Sequence, residues 1–67
     1  MRIDRNKLDM VMANRCMTSN ELQKKSGVPR GTYVNIVGGK RNVRPMTLGK
    51  IARALGVRAE EIMLEED

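Results

Sequence analysis

Apolar residues recur along this chain at helical spacing, three and four apart. No stretch of useful length alternates apolar and polar residues as a strand would. Leu8, Val11 and Met12 form one helical face and predict a first helix near Asp4 to Arg15. In "MTSNEL", Thr18 and Glu21 have the spacing of a capping box, and Met17 and Leu22 bracket it as a hydrophobic staple, so a second helix begins there. It stops at Gly27, the residue type suited to a left-handed C-terminal position. A third helix starts at Pro29 or Arg30, because proline loses nothing in a first turn. That helix ends at Gly38-Gly39 and is followed by the basic, irregular "KRNVRP". Leu48, Ile51, Ala52 and Leu55 mark a fourth helix, closed by Gly56 with Val57 as its apolar partner in a Schellman-type stop. A fifth, short helix is expected from Ala59 to about Glu65, with Ile62 and Met63 turned inward. The fold class is all-α, with five helices in one domain and a helix-turn-helix over about residues 18–37.

The third helix has two faces. At 100° per residue, Thr32, Tyr33 and Ile36 fall on one side and should pack on the second helix through Leu22. Arg30, Gly31, Val34 and Asn35 fall on the other. Arginine can bond guanine O6 and N7 together, asparagine can do the same with adenine N6 and N7, and valine can touch a thymine methyl. A glycine among them permits close approach. A short turn after Gly27 would hold the two helices so that the second one protrudes into a groove.

Charge supports this reading. The net charge is +5, but all thirteen basic residues lie in positions 1–58 against only Asp4, Asp9 and Glu21, a local net of +10. The last nine residues, "AEEIMLEED", carry five acids and no base. Six cations and no anion lie from Lys24 to Arg44, a distribution suited to a polyanion. With 67 residues, one cysteine and no histidine, neither a disulfide nor a zinc staple is expected, and stability rests on packing. Cys16 is expected to pack as a small hydrophobe, and most of the six methionines to fit apolar stripes. Tyr33, the one aromatic residue, belongs to the core. No membrane span or signal peptide is expected, which places the chain in the cytoplasm. Catalysis finds no support: no nucleophile has an evident base, and "VGGKR" is too short for a phosphate loop. No cofactor, metal or small-molecule ligand is implied. Ile62, Met63 and Leu64 are three adjacent apolar residues, and they mark a candidate homodimer contact.

The stretch "TSNELQKKSGVPRGTYVNIVGGKRNVRPMTLGKIARALGV" resembles the Cro/repressor-type, or Xre, family of helix-turn-helix regulators of bacteria and phages. The run Thr47 to Val57 carries its most specific part. The resemblance spans about residues 4–63 and implies a compact five-helix, lambda-repressor-like DNA-binding domain, usually dimeric on a two-fold symmetric operator. It places Arg30, Gly31 and Asn35 at base-reading positions and Val34 at an outward position beside them. Ser19 and Asn20 fall where the family clamps a phosphate at the start of the second helix. Lys40, Arg41, Asn42 and Arg44 fall in the loop along the DNA backbone, and Thr32 is assigned a phosphate contact as well. Three positions depart from the pattern. Gln23 stands where a small alanine is usual, and Pro29 replaces a serine or threonine cap. Val37-Gly38 replaces a pair whose carboxylate often meets a basic residue of the first helix. The function implied is a sequence-specific transcriptional regulator, a small repressor. The alternative is a protein-binding helical module, such as the antitoxin half of a toxin–antitoxin pair.

Overall fold

The computed structural model describes residues 1–39 and 41–65. Four α-helices follow one another: α1 (Arg5–Asn14), α2 (Ser19–Ser26), α3 (Arg30–Val37) and α4 (Pro45–Leu55). Each boundary has a chemical cause. The Asp4 side chain accepts the Lys7 amide at 3.1 Å and caps α1. In α2 the capping box is complete: Glu21 N donates to Thr18 Oγ1 at 3.2 Å, and Thr18 N donates to Glu21 Oε1 at 3.0 Å. The Thr18 amide, and after it the Thr18 hydroxyl, favour the ionised carboxyl and hold Glu21 below its ordinary pKa. Proline opens α4, and Arg44 precedes it in extended conformation.

Two helices end in the same six-residue bonding pattern but with different residues at the left-handed position. At α4, Gly56 sits at φ 72°, Val57 N donates to Ala52 O and Gly56 N to Arg53 O, both at 3.0 Å, which is a complete Schellman stop. At α1, Met17 N donates to Met12 O at 3.0 Å and Cys16 N to Ala13 O at 3.1 Å. Here the left-handed residue is Cys16, at φ 51°. Its thiol is exposed, so the expected packing as a small hydrophobe is not found. The backbone explains this, because a residue turning the chain back at a helix end points its Cβ away from the core.

Fourteen apolar residues form one core, with Leu8, Leu22, Leu48, Ile51 and Ile62 the largest that are fully sealed. Among the described residues no polar or charged side chain is buried. Helix α2 packs on α4. The expected fifth helix is reduced to one 3-10 turn, Ala59–Glu61. After it the chain runs beside the N-terminal segment instead of continuing to Glu65 as a helix. Asp4 N donates to Ile62 O at 2.9 Å, Leu64 N donates to Arg2 O at 2.8 Å, and Ile3 and Met63 form an antiparallel bridge. Those groups are taken by pairing between distant segments, and Ile3, Val43 and Ile62 are buried under it. Ile62 is 0% exposed, so it is a core residue of its own protomer and not a dimer contact. Met63 is half-buried against the core, and Leu64 is 38% exposed.

Candidate nucleic-acid interface

The turn between α2 and α3 is three residues long, Gly27 to Pro29. Gly27 takes φ 76°, which an L side chain resists. Val28 is buried and anchors the turn to the core. Its carbonyl is held from α2: Gln23 Nε2 donates to Val28 O at 2.7 Å. The residue standing where the family pattern has alanine thus ties helix to turn with its amide. Pro29 is the N-cap of α3 and makes no side-chain capping bond.

A second link joins the starts of the two helices. Tyr33 is 3% exposed. Its hydroxyl lies 3.1 Å from Ser19 Oγ. The aromatic ring fills the core while its polar end reaches the first turn of α2, as a buried tyrosine requires. Nearby, Arg30 Nη1 donates to Asn20 Oδ1 at 3.0 Å. The expected phosphate clamp (Ser19, Asn20) and the expected base reader Arg30 therefore share one hydrogen-bonded rim. A shallow depression beneath it is lined by Arg5, Ser19, Asn20, Gln23, Arg30 and Val34, among others. The free amides of the first turn of α2 bring the positive end of its dipole to this place.

The outer face of α3 is open. Arg30 and Gly31 are exposed, Val34 is 56% exposed and Asn35 is half-buried. Tyr33, Ile36 and Val37 form the inner face. Thr32 does not join them as expected: it is exposed. Residues 33, 36 and 37 already span the stripe that meets the core, and Thr32 falls at its edge. A Cβ built on Gly31 meets nothing within 4 Å, so the space outside this residue is clear.

Asn35 and Thr32 line a second depression with Arg41, Asn42, Arg44 and Thr47. Helix α3 and the basic loop thus border one concave surface. Lys40, assigned to the same loop, lies outside the described residues. Among the described residues three ion pairs form, Arg5–Asp9 at 3.0 Å, Lys7–Glu65 at 3.4 Å and Arg58–Glu60 at 2.9 Å. None uses Arg30, Arg41 or Arg44. Among the described residues no carboxylate lines either depression. Arg30, Arg41 and Arg44 therefore border this face without a carboxylate partner among the described residues.

Two participants escaped the sequence reading. Arg5 reaches from α1 to the C-terminal end of α3, where its Nη1 donates to Val37 O at 3.3 Å. The missing carboxylate at Val37-Gly38 is thus replaced by a backbone carbonyl at the negative end of the helix. Gln23 holds the turn. Neither role has a local signal, since each bond joins elements whose proximity is decided by packing.

A protein of Methanocaldococcus jannaschii, described as an uncharacterized HTH-type transcriptional regulator, is 38% identical over 63 residues, 94% of this chain and 96% of that protein. No solved structure matches the chain. The Cro/C1-type HTH DNA-binding domain matches residues 7–64, which take in α2, the turn, α3 and the basic loop described above. The chain belongs to the Cro/C1-type HTH DNA-binding domain family.

Proposed function

We propose that this protein is a transcriptional regulator, a small repressor that reads a two-fold symmetric operator in the major groove with α3. Arg30, Gly31, Val34 and Asn35 supply base contacts. Ser19, Asn20, Thr32, Arg41, Asn42 and Arg44, with Lys40, hold phosphates. The observation that carries this reading is the open outer face of α3, bordered by arginines that have no carboxylate partner among the described residues. Phosphate contacts supply most of the affinity and α3 the discrimination. The regulator named in Methanocaldococcus jannaschii supports the same role. A cytoplasmic location belongs to the same reading; no described helix is long and apolar enough to cross a membrane.

Homodimerisation belongs to this reading, since a two-fold operator is matched by a two-fold protein. Of Ile62, Met63 and Leu64, Leu64 is the one with substantial exposed surface to offer. Selection of bound sequences from a random DNA pool tests the whole reading and should return a palindrome. With about four to six phosphate contacts per protomer, log K should fall against log salt at about −0.9 per contact. Arg30→Ala should cost about 1–3 kcal/mol at one base position, whereas Arg41→Ala should weaken all sequences alike. A flat salt response, or identical behaviour of the two variants, overturns the assignment.

A further inference from the structure

The N-terminal segment touches the basic loop through both backbone and side chain. Val43 N donates to Met1 O at 2.7 Å. Arg2 Nε donates to Asn42 Oδ1 at 3.3 Å, forty residues along the chain. On its other side the same segment is bonded to the C-terminal segment, where Leu64 N donates to Arg2 O. Arg2 is thus an exposed cation on a backbone pinned from two directions.

Its bond to Asn42 has a chemical consequence. The guanidinium spends its Nε–H on Asn42 and keeps both terminal NH2 groups, the prongs that meet a phosphate. Because Asn42 accepts through Oδ1, its Nδ2 remains a donor. The pair therefore presents several donors together, and Asn42 brings them to the depression that it shares with Asn35, Arg41 and Arg44. Among the described residues no carboxylate pairs with Arg2. An arginine held in place by backbone bonds also gives up less freedom on binding than one on a loose tail.

We propose that Arg2 and Asn42 form a composite anion site that grips a DNA backbone phosphate beyond the loop, so that the N-terminal segment is part of the DNA-binding surface. The occupant is a duplex phosphate because the site continues the rim bordering Asn35 on α3. This rests on the DNA-binding reading above.

The test is a salt series of DNA affinity on the full chain with Arg2→Gln, Arg2→Lys and, as a reference, Arg41→Ala. Arg2→Gln should bind every sequence about fivefold more weakly at about 0.15 M salt, with the log–log slope shallower by about 0.9 per protomer. Its melting temperature should match the parent. Arg2→Lys keeps the charge and should keep the slope. An unchanged slope in Arg2→Gln overturns the site, whatever happens to affinity. Equal loss of slope in Arg2→Lys also overturns it, because the bond to Asn42 would then be acting on the loop and the charge not on DNA. If the parent protein itself lacks salt-dependent binding, the DNA reading fails. If Arg41→Ala flattens the slope and Arg2→Gln does not, only this site fails.

Discussion

Replacing Gln23 tests how the helix-turn-helix is held. Its amide donates to Val28 O at 2.7 Å, and no other protein donor reaches that carbonyl among the described hydrogen bonds. A net hydrogen bond contributes about 0.5–1.5 kcal/mol, and a part-buried acceptor left unsatisfied pushes the loss toward the upper end, about 1.5 kcal/mol. Gln23→Met keeps the length and the helix propensity of the side chain and removes the donor, so it should show this loss. Gln23→Ala also removes the donor but regains about 0.3 kcal/mol of helix propensity, leaving about 1.2 kcal/mol. With 67 residues and about 2.1 cal/mol/K of unfolding entropy each, 1.5 kcal/mol corresponds to a melting point lower by about 10 °C. Thermal denaturation followed by circular dichroism measures it. Non-specific DNA affinity should hold while discrimination between sequences falls, since the amide positions α3 and does not meet phosphate. A methionine variant melting within about 2 °C of the parent would refute the reasoning and make the short bond incidental to stability.

Three further outcomes follow from local chemistry. Cys16→Gly should stabilise by about 0.5–1 kcal/mol, because relief at φ 51° outweighs the added freedom of the unfolded chain; chemical denaturation checks this, and a lower midpoint would show the thiol makes a contact of value. Leu22→Ala should cost roughly 2–5 kcal/mol, close to the whole stability of a domain this small, and leave little folded protein at 37 °C. Glu21 has a folded pKa below its unfolded one, so its stabilisation is fully present above the unfolded value of about 4.3 and disappears as pH falls through the folded value. Glu21→Gln should therefore flatten the acid limb of the stability profile in that window, and an unchanged limb would contradict the bond from the Thr18 amide to the carboxylate.

How far the sequence could be read depended on the range of the forces involved. The capping box at Thr18 and Glu21, the glycine stops at Gly27 and Gly56, and the apolar stripe of α4 are all determined within a few residues, and each stands where its local chemistry puts it. The outward set Arg30, Gly31, Val34 and Asn35 followed from helical period alone, since a rod with one apolar stripe can bury one side only. Thr32, at the edge of that stripe, was misplaced because a periodicity does not say how wide the facing core is.

Contacts between distant residues lay beyond such reading. Nothing near Ala59 forbade a helix to Glu65. The chain leaves helical geometry there because Ile62 and Leu64 find backbone partners in the N-terminal segment, and because Ile3 and Ile62 fill one core. The bonds from Gln23 to Val28, from Tyr33 to Ser19, from Arg5 to Val37 and from Arg2 to Asn42 likewise join groups brought together by packing. Local pattern decided which helices form and which side of α3 is wet. The tertiary fold alone decided which cations border that side, because their proximity depends on how a shared core is closed.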